Sequence, residues 1–133
     1  MIGGSLALAA RRAGWVKEVV GCASRRASLD KGLALGVIDQ GELSAAAAVR
    51  GADLVFLAVP VAAMAVVMAE IAPHLAAHAI IADGGSVKGP VWQAAQKHLP
   101  NPAHFVPGHP IAGREKSGVE AATADLYAHH RVI

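Results

Sequence analysis

A chain of 133 residues is long enough for one domain and too short for two. Hydrophobic residues at 54% and charged residues at 17% exclude a disordered or low-complexity chain, and a net charge of +2 is too small to argue for a nucleic-acid partner. One cysteine, Cys22, excludes an internal disulfide and any multi-cysteine metal site, and makes a reducing compartment the default.

In chain order, Ile2-Gly3-Gly4-Ser5-Leu6 opens an apolar helix at the very start. Lys17 to Ala23 is expected to be a strand. Ala27 to Leu35 follows as a helix, with Ser24 or Ser28 as its cap and Gly36 as its stop signal. Asp53 to Val59 is almost wholly apolar and closed by Pro60, the pattern of a strand buried on both faces of a parallel sheet. Val61 to Ile71 reads as a helix, Ala79 to Asp83 as a second buried strand, Lys88 to Leu99 as a helix closed by Pro100, and His104 to Pro107 as a short strand. Ser117 to Leu126 carries a helical pattern, and Arg131 to Ile133 begins a further strand. The longest apolar run, Val55 to Ala69, holds Pro60 and falls short of the ~18 residues of a membrane span. Leu6 to Ala10 lacks the basic stretch that precedes a signal-peptide core. These patterns point to a cytoplasmic α/β protein with a parallel sheet, no membrane and no nucleic acid. The first residue stands at a helix head and the last inside a strand, so the chain is expected to be cut from something longer.

Four loops carry candidate chemistry. Gly3 and Gly4 at a helix start fit the end of a dinucleotide-binding turn, where backbone N–H groups and the helix dipole meet a pyrophosphate; a plain helix start with small residues is the alternative. After the first strand, the position where a carboxylate would hold a ribose hydroxyl is Ala23, followed by Ser24, Arg25 and Arg26. That suits a 2′-phosphate, or a solvated helix start. Asp83-Gly84-Gly85-Ser86-Val87-Lys88-Gly89 follows a buried strand, where ligands bind in open α/β sheets; Ser86 as a helix N-cap is the alternative. In Pro107-Gly108-His109-Pro110, an imidazole is held between rigid neighbours and suits general-base work, although a lone histidine is more often structural. The seven histidines show no metal-ligand spacing, Cys22 reads as a small buried hydrophobe, and Trp15 and Trp92 read as packing groups.

These stretches, with Leu57-Ala58-Val59-Pro60 and Gly108-His109-Pro110-Ile111-Ala112-Gly113-Arg114-Glu115-Lys116-Ser117-Gly118, resemble the prephenate dehydrogenase family of tyrosine biosynthesis. The likeness runs in order over nearly the whole chain, and its last stretch is the specific one. The resemblance implies a Rossmann-like parallel sheet flanked by helices. Residues 1–133 would be a partial NAD(P)-binding domain that lacks its first strand, and a helical dimerisation domain would lie outside them. It implies oxidative decarboxylation of prephenate with hydride transfer to NAD or NADP. His109 would take the proton of the ring hydroxyl, and Ser86 would hold that hydroxyl or the nicotinamide side. Glu115 and Lys116 would stand at the substrate end. Gly3, Gly4, Ser24, Arg25, Arg26, Val59 and Pro60 would meet the cofactor. Arogenate or cyclohexadienyl dehydrogenase is the near rival, a β-hydroxyacid dehydrogenase a farther one, and a non-catalytic cofactor-binding fragment the reading from another class. The chain alone is expected to turn over little.

Overall fold

The structure, a computed structural model, describes residues 1–112 and 117–133. The chain divides into two compact units, residues 1–44 with 110–131 and residues 45–109 with 132–133.

The first unit opens with α1 (Ile2–Arg12), whose first turn holds Gly3 and Gly4 and whose last turn holds Arg11 and Arg12. Two three-residue strands, β1 (Val20–Cys22) and β2 (Gln40–Glu42), pair in parallel around α2 (Arg26–Ala34). Only part of the expected strand at 17–23 forms. The Val19 N–H donates to the Asp39 carboxylate at 2.7 Å and its carbonyl accepts from the Asp39 N–H at 2.8 Å, and the paired register runs from Val20 to Cys22. The cap of α2 is Arg25, in extended conformation, and not Ser24 or Ser28; no side chain caps that end. Gly36 stops the helix as expected, with a φ of 68° that favours glycine. Cys22 is exposed, since β1 lies open on its outer face, and is not the buried hydrophobe expected. Trp15, 84% exposed, does not pack into a core either. The helix expected over 117–126 shrinks to one 3₁₀ turn at Val119–Ala121. The Thr123 N–H donates to the Ser5 hydroxyl at 3.0 Å, and an amide bonded to a distant side chain cannot continue a helix ladder. The Tyr127 hydroxyl donates to the Ile2 carbonyl at 2.8 Å and Arg12 meets Asp125 at 2.6 Å, which straps this segment along α1.

The second unit begins with the single turn α3 (Ala45–Ala48). Its sheet runs β3 (Leu54–Leu57), β4 (Ile80–Asp83), β5 (Phe105–Val106), all parallel. Between them lie α4 (Val61–Ile71) and α5 (Gly89–His98). Val55, Leu57 and Ile81 enter a core with Met64, Met68, Ile71, Val91, Ala95, Leu99 and Phe105. The opposite face is not buried as the apolar runs implied: Leu54 is 53% exposed and Ile80 38%. Trp92 stacks on Phe105, with ring centroids 6.1 Å apart. Val132 and Ile133 do not join the parallel ladder; His109 and Ile133 instead exchange two backbone hydrogen bonds at 2.7 and 3.1 Å. Among the described residues no helix is long and apolar enough to cross a membrane.

Candidate functional site

Three loops leave the C-terminal ends of three neighbouring parallel strands in the second unit, where open α/β sheets bind ligands. The loop after β3 holds half-buried Val59 and exposed Pro60, which is the cap residue of α4. The loop after β4 holds exposed Ser86. The cap of α5 is Lys88, so Ser86 is not spent as an N-cap. The loop after β5 holds half-buried His109.

Asp83 ties the last two loops together. Its side chain is fully buried, and a buried carboxylate must collect donors. Oδ2 accepts from the Gly85 N–H at 2.8 Å and from the Lys88 ammonium; Oδ1 accepts from the Gly108 N–H at 3.1 Å. The Lys88 ammonium also donates to the Gly108 carbonyl. A Cβ at Gly85 would stand 2.9 Å from Oδ2 of Asp83, and one at Gly108 2.9 Å from the Asp83 carbonyl oxygen. Both glycines are therefore dictated by close approach. In the sequence Asp83 stands only as the last residue of an expected strand and the first of the glycine loop, with no role of its own. The available signal was an aspartate closing an apolar run just before two glycines.

In the first unit, Gly3 and Gly4 lie in the opening turn of α1, half-buried, with no acidic residue beside them. A helix start of this kind offers backbone N–H donors and the positive end of the dipole, which fits an anionic phosphate group. Ser24, Arg25 and Arg26 follow β1 and are exposed. Arg25 borders a cleft of about 310 Å³ with Ser28, Lys31, Gly118 and Glu120. Lys31 and Glu120 pair across it at 3.6 Å. The Glu120 carboxyl is held below its ordinary value, first by its own backbone N–H and then by Lys31. Ser24 to Arg26 and the Gly3–Gly4 turn thus carry the charge and donor types that the phosphates of a dinucleotide require. Glu115 and Lys116 lie outside the described residues. Among the described residues no three His, Cys, Asp or Glu side chains converge on a metal position.

Parallel strands alternating with helices, with loops gathered at the strand ends, define a Rossmann-like nucleotide-binding domain. The family model described as "Prephenate dehydrogenase, nucleotide-binding domain" matches residues 6–133. The chain belongs to that family. A cyclohexadienyl dehydrogenase from Zymomonas mobilis is 51% identical over 86 residues, 65% of this chain and 29% of that protein. A prephenate dehydrogenase from Bacillus subtilis is 38% identical over 128 residues, 96% of this chain and 34% of that protein. The crystal structure of prephenate dehydrogenase from Aquifex aeolicus in complex with hydroxyphenyl propionate and NAD+ superposes with a TM-score of 0.89 at 35% identity, covering 98% of this chain and 46% of that one. The chain therefore spans about a third of the length of the curated relatives it matches.

Proposed function

We propose that this chain is the cofactor-binding part of a prephenate dehydrogenase that oxidatively decarboxylates prephenate to 4-hydroxyphenylpyruvate in tyrosine biosynthesis. The observation that carries the reading is His109 on a loop pinned to the Ser86 loop at the strand ends, in a chain that matches this family almost from end to end.

A nicotinamide held at these strand ends would supply the acceptor for the hydride of C4 of the substrate ring. His109 accepts the proton of the C4 hydroxyl as that carbon becomes a carbonyl. The electron pair of the breaking bond to CO₂ then enters the ring, and the oxygen regains a proton as the ring becomes aromatic. Ser86 donates to or accepts from the same hydroxyl and keeps it in line with His109. Aromatisation supplies the driving force, so the protein mainly orients and polarises. Glu115 and Lys116 are assigned to the substrate end. Gly3 and Gly4 would take the pyrophosphate, Val59 and Pro60 would border the nicotinamide side, and Ser24, Arg25 and Arg26 would take the adenosine ribose end, where the two guanidinium groups would donate to a 2′-phosphate if the cofactor is NADP and stand solvated if it is NAD. The relative named cyclohexadienyl dehydrogenase favours a second reading, in which arogenate is accepted as well. The complete reaction is assigned to a cytoplasmic protein of the relatives' length, a homodimer through a further helical domain; the 133 residues alone bind the cofactor weakly and turn over little.

The test is prephenate-dependent reduction of the nicotinamide, compared with arogenate, in a protein of the relatives' length carrying these residues. His109→Asn lowers turnover there by roughly 10²–10⁴-fold. An unchanged rate removes His109 from the mechanism. Calorimetric titration of that longer protein with NAD+ and NADP+ tests the cofactor reading separately, and saturable binding of neither would overturn it.

A further inference from the structure

We propose that Lys88 and Asp83 are positioning residues that lock the backbone at Gly108 and thereby fix where His109 stands. The role of His109 rests on the functional reading above; the way it is held does not.

Glycine is the residue with the widest backbone freedom, and Gly108 stands directly before the imidazole-bearing residue. A peptide unit is planar, so anchoring the unit on each side of a residue removes both of its soft torsions. Both units flanking Gly108 are anchored. The unit before it is held by its N–H, which donates to Oδ1 of Asp83 at 3.1 Å. The unit after it is held at both ends: its carbonyl accepts from the Lys88 ammonium, and its N–H, that of His109, donates to the Ile133 carbonyl at 2.7 Å. Pro110 restricts His109 from the other side. The His109 carbonyl accepts from the Ile133 N–H at 3.1 Å, so the unit after His109 is anchored as well and its side-chain torsions are what stays free.

A merely structural carboxylate could be satisfied by the two backbone N–H groups that Asp83 already receives. The lysine does something those bonds cannot. Its ammonium joins the carboxylate of one loop to a carbonyl of the other, 20 residues on, while its own side chain remains 32% exposed. An ammonium has several donors on one atom, so a single side chain can serve both acceptors. An arginine fork can do the same with two N–H groups, whereas methionine matches the length and supplies none.

The experiment compares the 133-residue chain with Lys88→Met, Lys88→Arg and Asp83→Asn by amide resonances and hydrogen exchange. In Lys88→Met the Gly108 and His109 amides shift and exchange faster by about tenfold, the scale of one lost hydrogen bond, while the Ala94 and Ala95 amides of the core stay in place. Lys88→Arg returns Gly108 and His109 towards their original positions. If Lys88→Met lowers the unfolding midpoint but leaves the Gly108 and His109 resonances and exchange unchanged, the lysine is structural only and the proposal is overturned. Should Lys88→Met not fold, the double variant Asp83→Asn with Lys88→Gln, which leaves no buried charge, is read by the same two amides. None of these readouts needs turnover, so a failure of the prephenate reading leaves them decisive.

Discussion

Tyr127 is the only tyrosine in the chain, so its ionisation can be followed without interference. Its hydroxyl donates to the Ile2 carbonyl at 2.8 Å in the strap along α1, and burial pushes its pKa up to about 12. The unfolded chain releases this proton near the ordinary value of about 10. Between these two values the folded state binds the proton and the unfolded state does not, so stability falls as pH rises through that window. Tyrosinate absorbance in the native protein is expected to rise well above the pH at which it rises in urea, and Tyr127→Phe should flatten the alkaline loss of stability. Coincident titrations in both solvents would refute the strap. The motif residues at this scale, Ser86 and His109, were legible because each sits among glycines and prolines in a specific string. The partners that hold them were not. Asp83 meets Gly108 across 25 residues, and Ser5 meets Thr123 across 118, and no local pattern records such a pairing.

At the level of elements, the long apolar segments could be read because their period and their Pro or Gly stops coincide with their ends. α4 was expected at its observed bounds, and α5 within a residue of its own. β2 and α3 carry no such signal. A strand of Gln40, Gly41 and Glu42 has no apolar alternation, and Ala45–Ala48 is a single turn. The apolar runs at β3 and β4 overstated burial, because composition cannot tell which face of a strand a helix will cover. The covered face is where stability concentrates. Met68 of α4 is fully buried in the core that includes Ile81 and Val91. Met68→Ala should cost about 2–5 kcal/mol, the lost transfer energy plus the cavity left behind. Urea unfolding checks it, and a loss below about 1 kcal/mol would mean that the site collapses around the gap.

Across the whole molecule, each unit is held internally by different forces, and acid should weaken one before the other. The second rests on an apolar core of twelve buried residues. The first buries few large side chains, Leu29, Val37 and Leu126 among them, and relies on polar ties: Arg11 with Asp39 at 3.0 Å, Arg12 with Asp125, Lys31 with Glu120. The Asp39 carboxyl is held below its ordinary value by the Arg11 hydrogen bond and then by the Val19 N–H, and Glu120 is lowered as well. For a carboxylate whose folded pKa is lowered, the unfolded chain takes up protons first. The stabilisation is therefore complete above the unfolded values, 3.8 for Asp39 and 4.5 for Glu120, and is lost as pH falls below them. These groups are exposed, so salt should weaken the same ties while sparing the apolar core. Amide exchange corrected for intrinsic rates is the measurement. From neutral pH to about pH 3, protection should fall first in α1, β1 and β2, and persist in β3, β4 and α4. Equal loss in both units, or loss beginning in the apolar core, would show that the carboxylate ties do not carry the first unit.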